Sequence, residues 1–223
     1  MIVLIDKPKE WTSFDVVAKV RGILKEKKVG HAGTLDPNAT GLLIIGTGVD
    51  TKKLGEITKN TKKTYEAEIV LGASSNTDDV DGEITKSKST LVVSEQQIKD
   101  VVQSFEGEQV QIPPQFSAIK MKGKKAYELA RKGEEVRFEP RKVIIYKLDL
   151  VSYDYPLLKI NCEVSSGTYI RSLARDIGEK LGVGAYLKNL RRTKIGEFQV
   201  SEAWPITSVE KAINLQELQK MHK

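Results

Sequence analysis

Patterns typical of strands and patterns typical of helices follow one another irregularly along this chain, without a repeated strand–helix–strand unit. Residues 63–71 alternate apolar and polar side chains, as in a strand with one buried face. Apolar residues after Thr12 and Ser13 instead follow the spacing of an amphipathic helix. Mixed elements without a regular βαβ order are typical of α+β domains. We therefore predict an α+β fold with a mixed, largely antiparallel sheet flanked by helices.

Further elements follow from the same criteria. Strands are predicted over residues 42–45, 143–151, 157–164 and near 198–200. Helices are predicted after a capping box at Ser94 and Gln97, over residues 126–131 and 170–181, and near 185–191 and 209–218. Glycine-rich residues 30–41 predict an irregular loop, and the two prolines at 113–114 predict an extended connection.

Composition excludes several classes of protein. No apolar run approaches the roughly 20 residues of a membrane span, and the first residues lack the basic start and cleavage site of a signal peptide. Cys162 is the only cysteine, so an internal disulfide is impossible. The two histidines, His31 and His222, cannot form a multi-histidine metal centre. We expect a cytoplasmic protein with no metal site.

Basic charge is concentrated in three parts of the chain. The net charge is +6, but residues 64–112 alone carry −7 and every other segment is net positive. A basic face formed by those segments would attract a polyanion such as a nucleic acid. Ordinary solvated lysines explain the same count, and charge alone does not decide between the two.

Two segments contain candidate functional residues. Residues 30–41 hold the only internal histidine and one acid, Asp36, and they fit neither phosphate-loop pattern. An aspartate before a proline is commonly a turn residue. Residues 165–176 join a strand to a helix, with Thr168 as a possible cap and with Arg171 and Arg175 one turn apart. The arginines are either solvated or, for Arg171, paired with a carboxylate in a cleft.

Two shorter segments are less informative alone. Lys63 and Tyr65 open the strand at 63–71, where a tyrosine is more often a core residue than a catalyst. The acidic loop at residues 76–82 has a spacing faintly like a calcium loop. It lacks the glutamate that would complete the site, so we reject calcium binding.

Taken together, these segments resemble the TruB-type tRNA pseudouridine synthases. Five motifs match in order, and the opening residues 6–8 and 12–13 also fit. The motifs lie at residues 30–43, 63–65, 76–82, 113–131 (PPQFSAIKMKGKKAYELAR) and 167–171, the last followed by Asp176 and residues 190–192. The match covers the chain to about residue 196.

The resemblance implies a pseudouridine-synthase-like fold and an isomerase that converts the T-loop uridine, position 55 of tRNA, into pseudouridine without cofactor or metal. Asp36 occupies the place of the catalytic aspartate, which attacks the ribose C1′ or acts on the C2′ proton. Tyr65 matches the tyrosine that stacks on the target base and assists a proton transfer. Arg171 matches the arginine that pairs with the aspartate and would keep it ionised.

The resemblance also implies residues that bind the substrate. His31 matches the histidine that fills the space of the flipped base, Leu190 matches an apolar residue of the base pocket, and Tyr169 lies beside the arginine. Lys63 and the cluster that begins at Lys120 would hold phosphates. The expected partner is the T arm of tRNA, bound by a monomer.

The chain departs from the family pattern in two places. Ser166 stands where many members have a lysine, and only 27 residues follow Gly196. We therefore expect one catalytic domain over residues 1–223, with a short tail at about 197–223 in place of the usual PUA domain. A guide-RNA-dependent pseudouridine synthase and a tRNA-folding chaperone are the alternative functions.

Overall fold

The computed structural model describes residues 1–59, 61–89, 91–117, 120–121, 124–126 and 138–211. Four α-helices are assigned in this part of the chain. They are α1 (Ser13–Leu24), α2 (Leu54–Thr58), α3 (Glu95–Gln103) and α4 (Ile170–Lys180). None of the described helices is long and apolar enough to cross a membrane.

Fourteen strands accompany these helices in the described residues. They are β1 (Ile2–Lys7), β2 (Val29–Ala32), β3 (Thr40–Thr47), β4 (Lys63–Leu71), β5 (Ala73–Ser75), β6 (Ile84–Lys86), β7 (Gly107–Gln111), β8 (Lys120–Met121), β9 (Lys124–Lys125), β10 (Arg141–Asp154), β11 (Leu157–Val164), β12 (Ala185–Ile195), β13 (Phe198–Gln199) and β14 (Trp204–Pro205).

The chain divides into two compact units. Unit 1 comprises Met1–Glu66 and Leu190–Lys223, and unit 2 comprises Ala67–Asn189. The chain passes from one unit to the other within β4 and again within β12. The predicted single catalytic domain stays a prediction.

Unit 1 is organised around β3. β3 pairs antiparallel with β1 and β2 and parallel with β12, while β14 pairs parallel with β1. Leu42, Leu43, Ile44 and Ile45 are all fully buried. Leu43 and Ile45 pack in the cluster that includes Val16, Val17 and Val20 of α1, whereas Leu42 and Ile44 pack in a second cluster. β3 therefore has apolar side chains buried on both faces.

Unit 2 is built on a long antiparallel hairpin. β10 pairs with β11 on one side and with β7 on the other. Helix α4 buries Ile170, Leu173, Ala174 and Ile177, the stripe expected from its sequence. Helix α3 begins at the predicted capping box, in which Ser94 accepts from the Gln97 N–H. Both units thus combine mixed, largely antiparallel strands with helices, which confirms the predicted α+β class.

The structure corrects three local predictions. The predicted short helix near residues 185–191 is part of β12, in which buried and more exposed positions alternate. Pairing in the sheet, where β12 lies between β3 and β4 and its Arg191 and Arg192 are in register with β3, outweighs the intrinsic helix preference of this segment. Residues 30–32 belong to β2, so the irregular loop is shorter than predicted. Helix α4 has Tyr169 as its N-cap without a side-chain bond, so Thr168 is not the cap.

Two predicted helices lie largely outside the described residues. The helix at 126–131 is described only at Ala126, and the final helix at 209–218 is described only to residue 211.

Candidate active site

Asp36 lies in the connection between β2 and β3 of unit 1, and its side chain is half-buried. Its backbone carbonyl accepts a hydrogen bond from the Ala39 N–H at 3.1 Å, which closes a turn. Gly41, the second residue of β3, has a φ of +100°, and a Cβ at this position would overlap the Arg192 carbonyl. Only glycine fits this close approach of backbones, so the end of the Asp36 loop is fixed in place.

Arg192 is a buried cation next to this loop, with 1% of its surface exposed. Its Nε donates to the Leu42 carbonyl at 2.8 Å and its Nη2 donates to the Gly33 carbonyl at 2.9 Å. A Cβ built on Gly33 would lie 3.3 Å from Arg192 Nη1 and 3.7 Å from Lys63 Nζ. Two cationic groups therefore meet beside the glycine that begins the Asp36 loop.

The positive charge of Arg192 affects its neighbours. Burial, together with the Arg192 charge, lowers the pKa of Lys63 to about 8. The same two causes, burial first, lower the pKa of His31 on β2. His31 Nδ1 is buried and lacks a hydrogen-bond partner within the described structure. His31 is therefore favoured as a neutral imidazole, suited to stacking.

The two other predicted site residues of unit 1 lie on strands. Tyr65 lies on β4 and is 7% exposed, as expected for a core residue. Its contact with the target base stays a prediction. Leu190 is half-buried on β12, and its carbonyl accepts from the Thr40 hydroxyl at 3.4 Å. Unit 1 thus contains Asp36, Tyr65, His31, Lys63 and Leu190.

Lys7 is an additional charged residue of this region, and the sequence pattern alone predicts no role for it. It is fully buried, and its Nζ donates to the carbonyls of Pro8 (2.9 Å), Trp11 and Pro37 (3.1 Å). Burial lowers the pKa of Lys7 to about 8, and the Asp36 carboxylate acts in the opposite direction. The sequence signal that could have identified Lys7 is its position in residues 6–8, which match the family pattern. The corresponding signal for Arg192 is its position in residues 190–192.

Arg171 lies in unit 2, at the start of α4, and is 6% exposed. Its Nη1 lies 3.4 Å from an Asp79 carboxylate oxygen and donates to the Thr77 carbonyl at 3.3 Å. Its Nη2 donates to the Phe116 carbonyl at 3.1 Å. Arg171 is therefore not a solvated arginine, and it pairs with a carboxylate as predicted. Its pairing with Asp36 stays a prediction.

Arg175 forms a second ion pair of the same helix. Its Nη1 donates to Asp78 at 2.9 Å, and its Nε and Nη2 donate to Asp176 at 3.0 and 2.8 Å. Burial raises the pKa of Asp78 to about 6, against the opposing effect of both arginines. The acidic loop thus supplies carboxylates to the α4 arginines.

Tyr169 and Lys120 complete the predicted set, both in unit 2. Gln111 holds the backbone of Tyr169 by accepting from its N–H at 2.8 Å and donating to its carbonyl at 3.0 Å. Lys120 lies on β8, which pairs antiparallel with β9. Among the described residues, no group of three histidine, cysteine or acidic side chains has the geometry of a metal site.

Comparisons with known proteins identify the family. Residues 21–170 match the TruB family pseudouridylate synthase N-terminal domain, and residues 171–222 match the tRNA pseudouridylate synthase B C-terminal domain. The tRNA pseudouridine synthase B of Dehalococcoides mccartyi is 46% identical over 95% of this chain and 70% of its own length. That of Phocaeicola vulgatus is 42% identical over 99% of this chain and 96% of its own length.

A solved structure gives the same result for the fold. A chain of an H/ACA ribonucleoprotein bound to a substrate RNA containing 2'-deoxyuridine matches with a TM-score of 0.72 and 26% identity. The match covers 98% of this chain, which spans about half (55%) of that chain. With two family domains that together cover most of its length, the chain belongs to the TruB family of pseudouridylate synthases.

Proposed function

We propose that this protein isomerises the T-loop uridine of tRNA, at position 55, to pseudouridine, with Asp36 as the residue that starts the reaction. The reaction class follows from the family: the chain is a tRNA pseudouridine synthase. The observation that carries the role of Asp36 is its position in the short β2–β3 loop, half-exposed and close enough to the buried Lys7 ammonium group to interact with it electrostatically.

The isomerisation needs no cofactor because its atoms balance within the nucleotide. The N1–C1′ bond breaks, the base turns and a C5–C1′ bond forms. The proton on C5 leaves to solvent, and N1 takes up a proton in its place. Asp36 either attacks C1′ or removes the C2′ proton to start this sequence. Tyr65 stacks on the base and assists the proton transfer, and Arg171 orients the carboxylate.

The uridine must leave the folded T loop before its glycosidic bond is accessible. Extrusion of a base costs a few kcal/mol. His31 offsets part of this cost by occupying the vacated space, a role that suits a neutral, half-buried imidazole. Leu190 contributes to the pocket of the flipped base, and Tyr169, in the same motif as Arg171, contributes to substrate binding.

Phosphates of the tRNA are held by lysines. Lys63 is suited to this role because its ammonium group lies beside Arg192. No carboxylate of the described residues lies within ion-pair distance of either cation. The cluster that begins at Lys120 adds further phosphate contacts. T-arm specificity, the monomeric state and a cytoplasmic location belong to this proposal.

The two alternative functions make different demands. A guide-RNA-dependent synthase would modify its substrate only with a guide RNA and partner proteins, whereas the proposed enzyme acts alone on tRNA. A tRNA-folding chaperone would bind tRNA without releasing the C5 proton. Curated relatives at 42–46% identity are tRNA pseudouridine synthases, which favours the proposed tRNA-modifying function over both alternatives.

The deciding experiment is tritium release from an unmodified tRNA transcript that carries C5-tritiated uridine. The purified chain should release tritium from one uridine per tRNA, and Asp36→Asn should release none. Asp100→Asn, which alters an exposed carboxylate of α3, should behave as the unaltered protein. Tight tRNA binding without release by the unaltered chain would instead favour the chaperone.

A further inference from the structure

The backbone on both sides of Asp36 is held by side chains from one short segment, residues 7–13. Ser13, the first residue of α1, is 3% exposed. Its hydroxyl accepts from the Leu35 N–H at 2.9 Å and donates to the Leu35 carbonyl at 3.1 Å. One side chain thus satisfies both backbone groups of the residue before Asp36.

The residue after Asp36 is held from the same segment. The Pro37 carbonyl accepts from Lys7 Nζ at 3.1 Å and from the Glu10 N–H at 2.9 Å. Lys7 cannot move without losing its two other carbonyl acceptors, those of Pro8 and Trp11.

These contacts have the properties that positioning requires. Ser13 and Leu35 are buried, so water does not compete for their hydrogen bonds. The loop that carries Asp36 lacks regular secondary structure from residue 33 to 39, and without such contacts its conformational freedom would be considerable. Misplacing a catalytic group by about 1 Å can cost on the order of 100-fold in rate.

We propose that Ser13 is a positioning residue for Asp36, with Lys7 as its counterpart on the other side of the loop. Ser13 fixes the Leu35 peptide groups and so sets the direction from which the Asp36 carboxylate reaches the ribose. The inference rests on the proposed role of Asp36. It adds that the rate of the chemical step depends on a hydroxyl that does not touch the substrate.

The neighbouring residue provides a matched control. Thr12 is the N-cap of α1: its hydroxyl accepts from the Asp15 N–H at 3.0 Å, and its own N–H donates to Asp15 at 2.8 Å. Thr12→Ala therefore weakens the same helix end. These hydrogen bonds connect Thr12 to Asp15 within the helix end and leave residues 35–37 untouched.

The experiment compares Ser13→Ala, Ser13→Thr and Thr12→Ala by thermal unfolding, tRNA affinity and single-turnover tritium release. Ser13→Ala should lower the single-turnover rate about 10–100-fold with an unchanged Kd. Thr12→Ala should lower Tm about as much as Ser13→Ala does. Its single-turnover rate should stay within about twofold of that of the unaltered protein. Ser13→Thr, which keeps the hydroxyl, should recover most of the rate.

Hydrogen exchange of the Leu35 amide provides a readout that is independent of catalysis. It should be accelerated by Ser13→Ala beyond the change seen in Thr12→Ala. Equal rates for Ser13→Ala and Thr12→Ala, or a Ser13→Ala defect confined to Kd, would overturn the positioning role. Absence of tritium release by the unaltered protein would instead refute the proposed function, and full activity in Asp36→Asn would refute the role of Asp36. These failures are distinguishable from a failure of the positioning role.

Discussion

Two buried arginines, Arg192 in unit 1 and Arg171 in unit 2, have opposite electrostatic surroundings. Arg192 donates to two backbone carbonyls, and its charge adds to the effect of burial in lowering the pKa of the neighbouring Lys63 and His31. Arg171 donates to carbonyls as well, but the Asp79 carboxylate lies 3.4 Å from its guanidinium. The first arginine adds to a concentration of positive charge, and the second is neutralised.

The difference indicates different tasks. A buried cation balanced by a carboxylate fixes the local fold, because removing either partner leaves an isolated charge. A buried cation held only by carbonyls leaves its positive potential available to a ligand. We infer that unit 1 presents charge to the RNA around the Asp36 loop, whereas the α4 arginines of unit 2 stabilise the acidic loop.

The largest expected effect tests the balanced pair. Asp79→Ala leaves the buried Arg171 without this carboxylate and also removes an acceptor for the Thr77 hydroxyl and the Asp81 N–H. The free energy of unfolding should fall by about 3–5 kcal/mol. Asp36→Asn should change it by less than about 1 kcal/mol, since asparagine keeps the size of the side chain. Urea unfolding measures both.

The control for this comparison is Asp100→Ala, which removes an exposed carboxylate and should cost about 0.5 kcal/mol or less. If Asp79→Ala were as mild as the control, then Arg171 would not depend on the Asp79 carboxylate. The two arginines would then have equivalent surroundings, and the proposed contrast between the units would be wrong.

Much of this arrangement was predictable because it depends on local patterns. The amphipathic spacing of α1 and α4, the capping box of α3 and the buried β3 all follow from short-range periodicity. Asp36 was identifiable from the combination of five matching motifs. No single loop would have distinguished it from an ordinary turn residue.

The missed features depend on contacts between residues far apart in sequence. The β12 segment has residues with good helix propensity, and its pairing with strands far away in the sequence, among them β3 about 150 residues earlier, makes it extended. Lys7 and Arg192 gain their roles from burial against carbonyls of the Asp36 loop. A sequence pattern marks them as basic residues, which are ordinarily exposed.

A smaller effect concerns the second ion pair of unit 2. Burial raises the pKa of Asp78 from 3.8 to about 6, so the folded state binds its proton more tightly than the unfolded state does. The protonated Asp78 therefore contributes to the free energy of unfolding in full below pH 3.8, and this contribution is lost as the pH rises through about 6. Between pH 3.8 and about 6, the free energy of unfolding of the unaltered protein should fall by on the order of 2 kcal/mol relative to that of Asp78→Asn.

Urea unfolding at a series of pH values from 4 to 7 measures this difference, because the other carboxylates titrate alike in both proteins. A constant difference across the series would show that Arg175 and Arg171 fully compensate the burial of Asp78. Such a result would extend the charge balance seen at Arg171 to the whole acidic loop.

The smallest expected effect concerns Lys63 of unit 1, which lies near the Arg192 guanidinium. Lys63→Met should weaken tRNA binding about tenfold at low salt and reduce the slope of log K against log salt concentration by about 1, the change expected for one lost phosphate contact. Lys19→Met, which alters an exposed lysine of α1, should change that slope by much less. Filter binding over a salt series measures both.

The pH dependence separates a phosphate contact from a general loss of positive charge. Lys63 binds phosphate as the ammonium, and its pKa is about 8 because burial and Arg192 disfavour the charged form. Affinity should therefore fall as the pH rises from 7 to 9, and Lys63→Met should reduce that fall. Lys7, with a pKa also near 8, titrates equally in both proteins. An unchanged pH profile in Lys63→Met would mean that the phosphate lies elsewhere and that Arg192 needs no anion beside it.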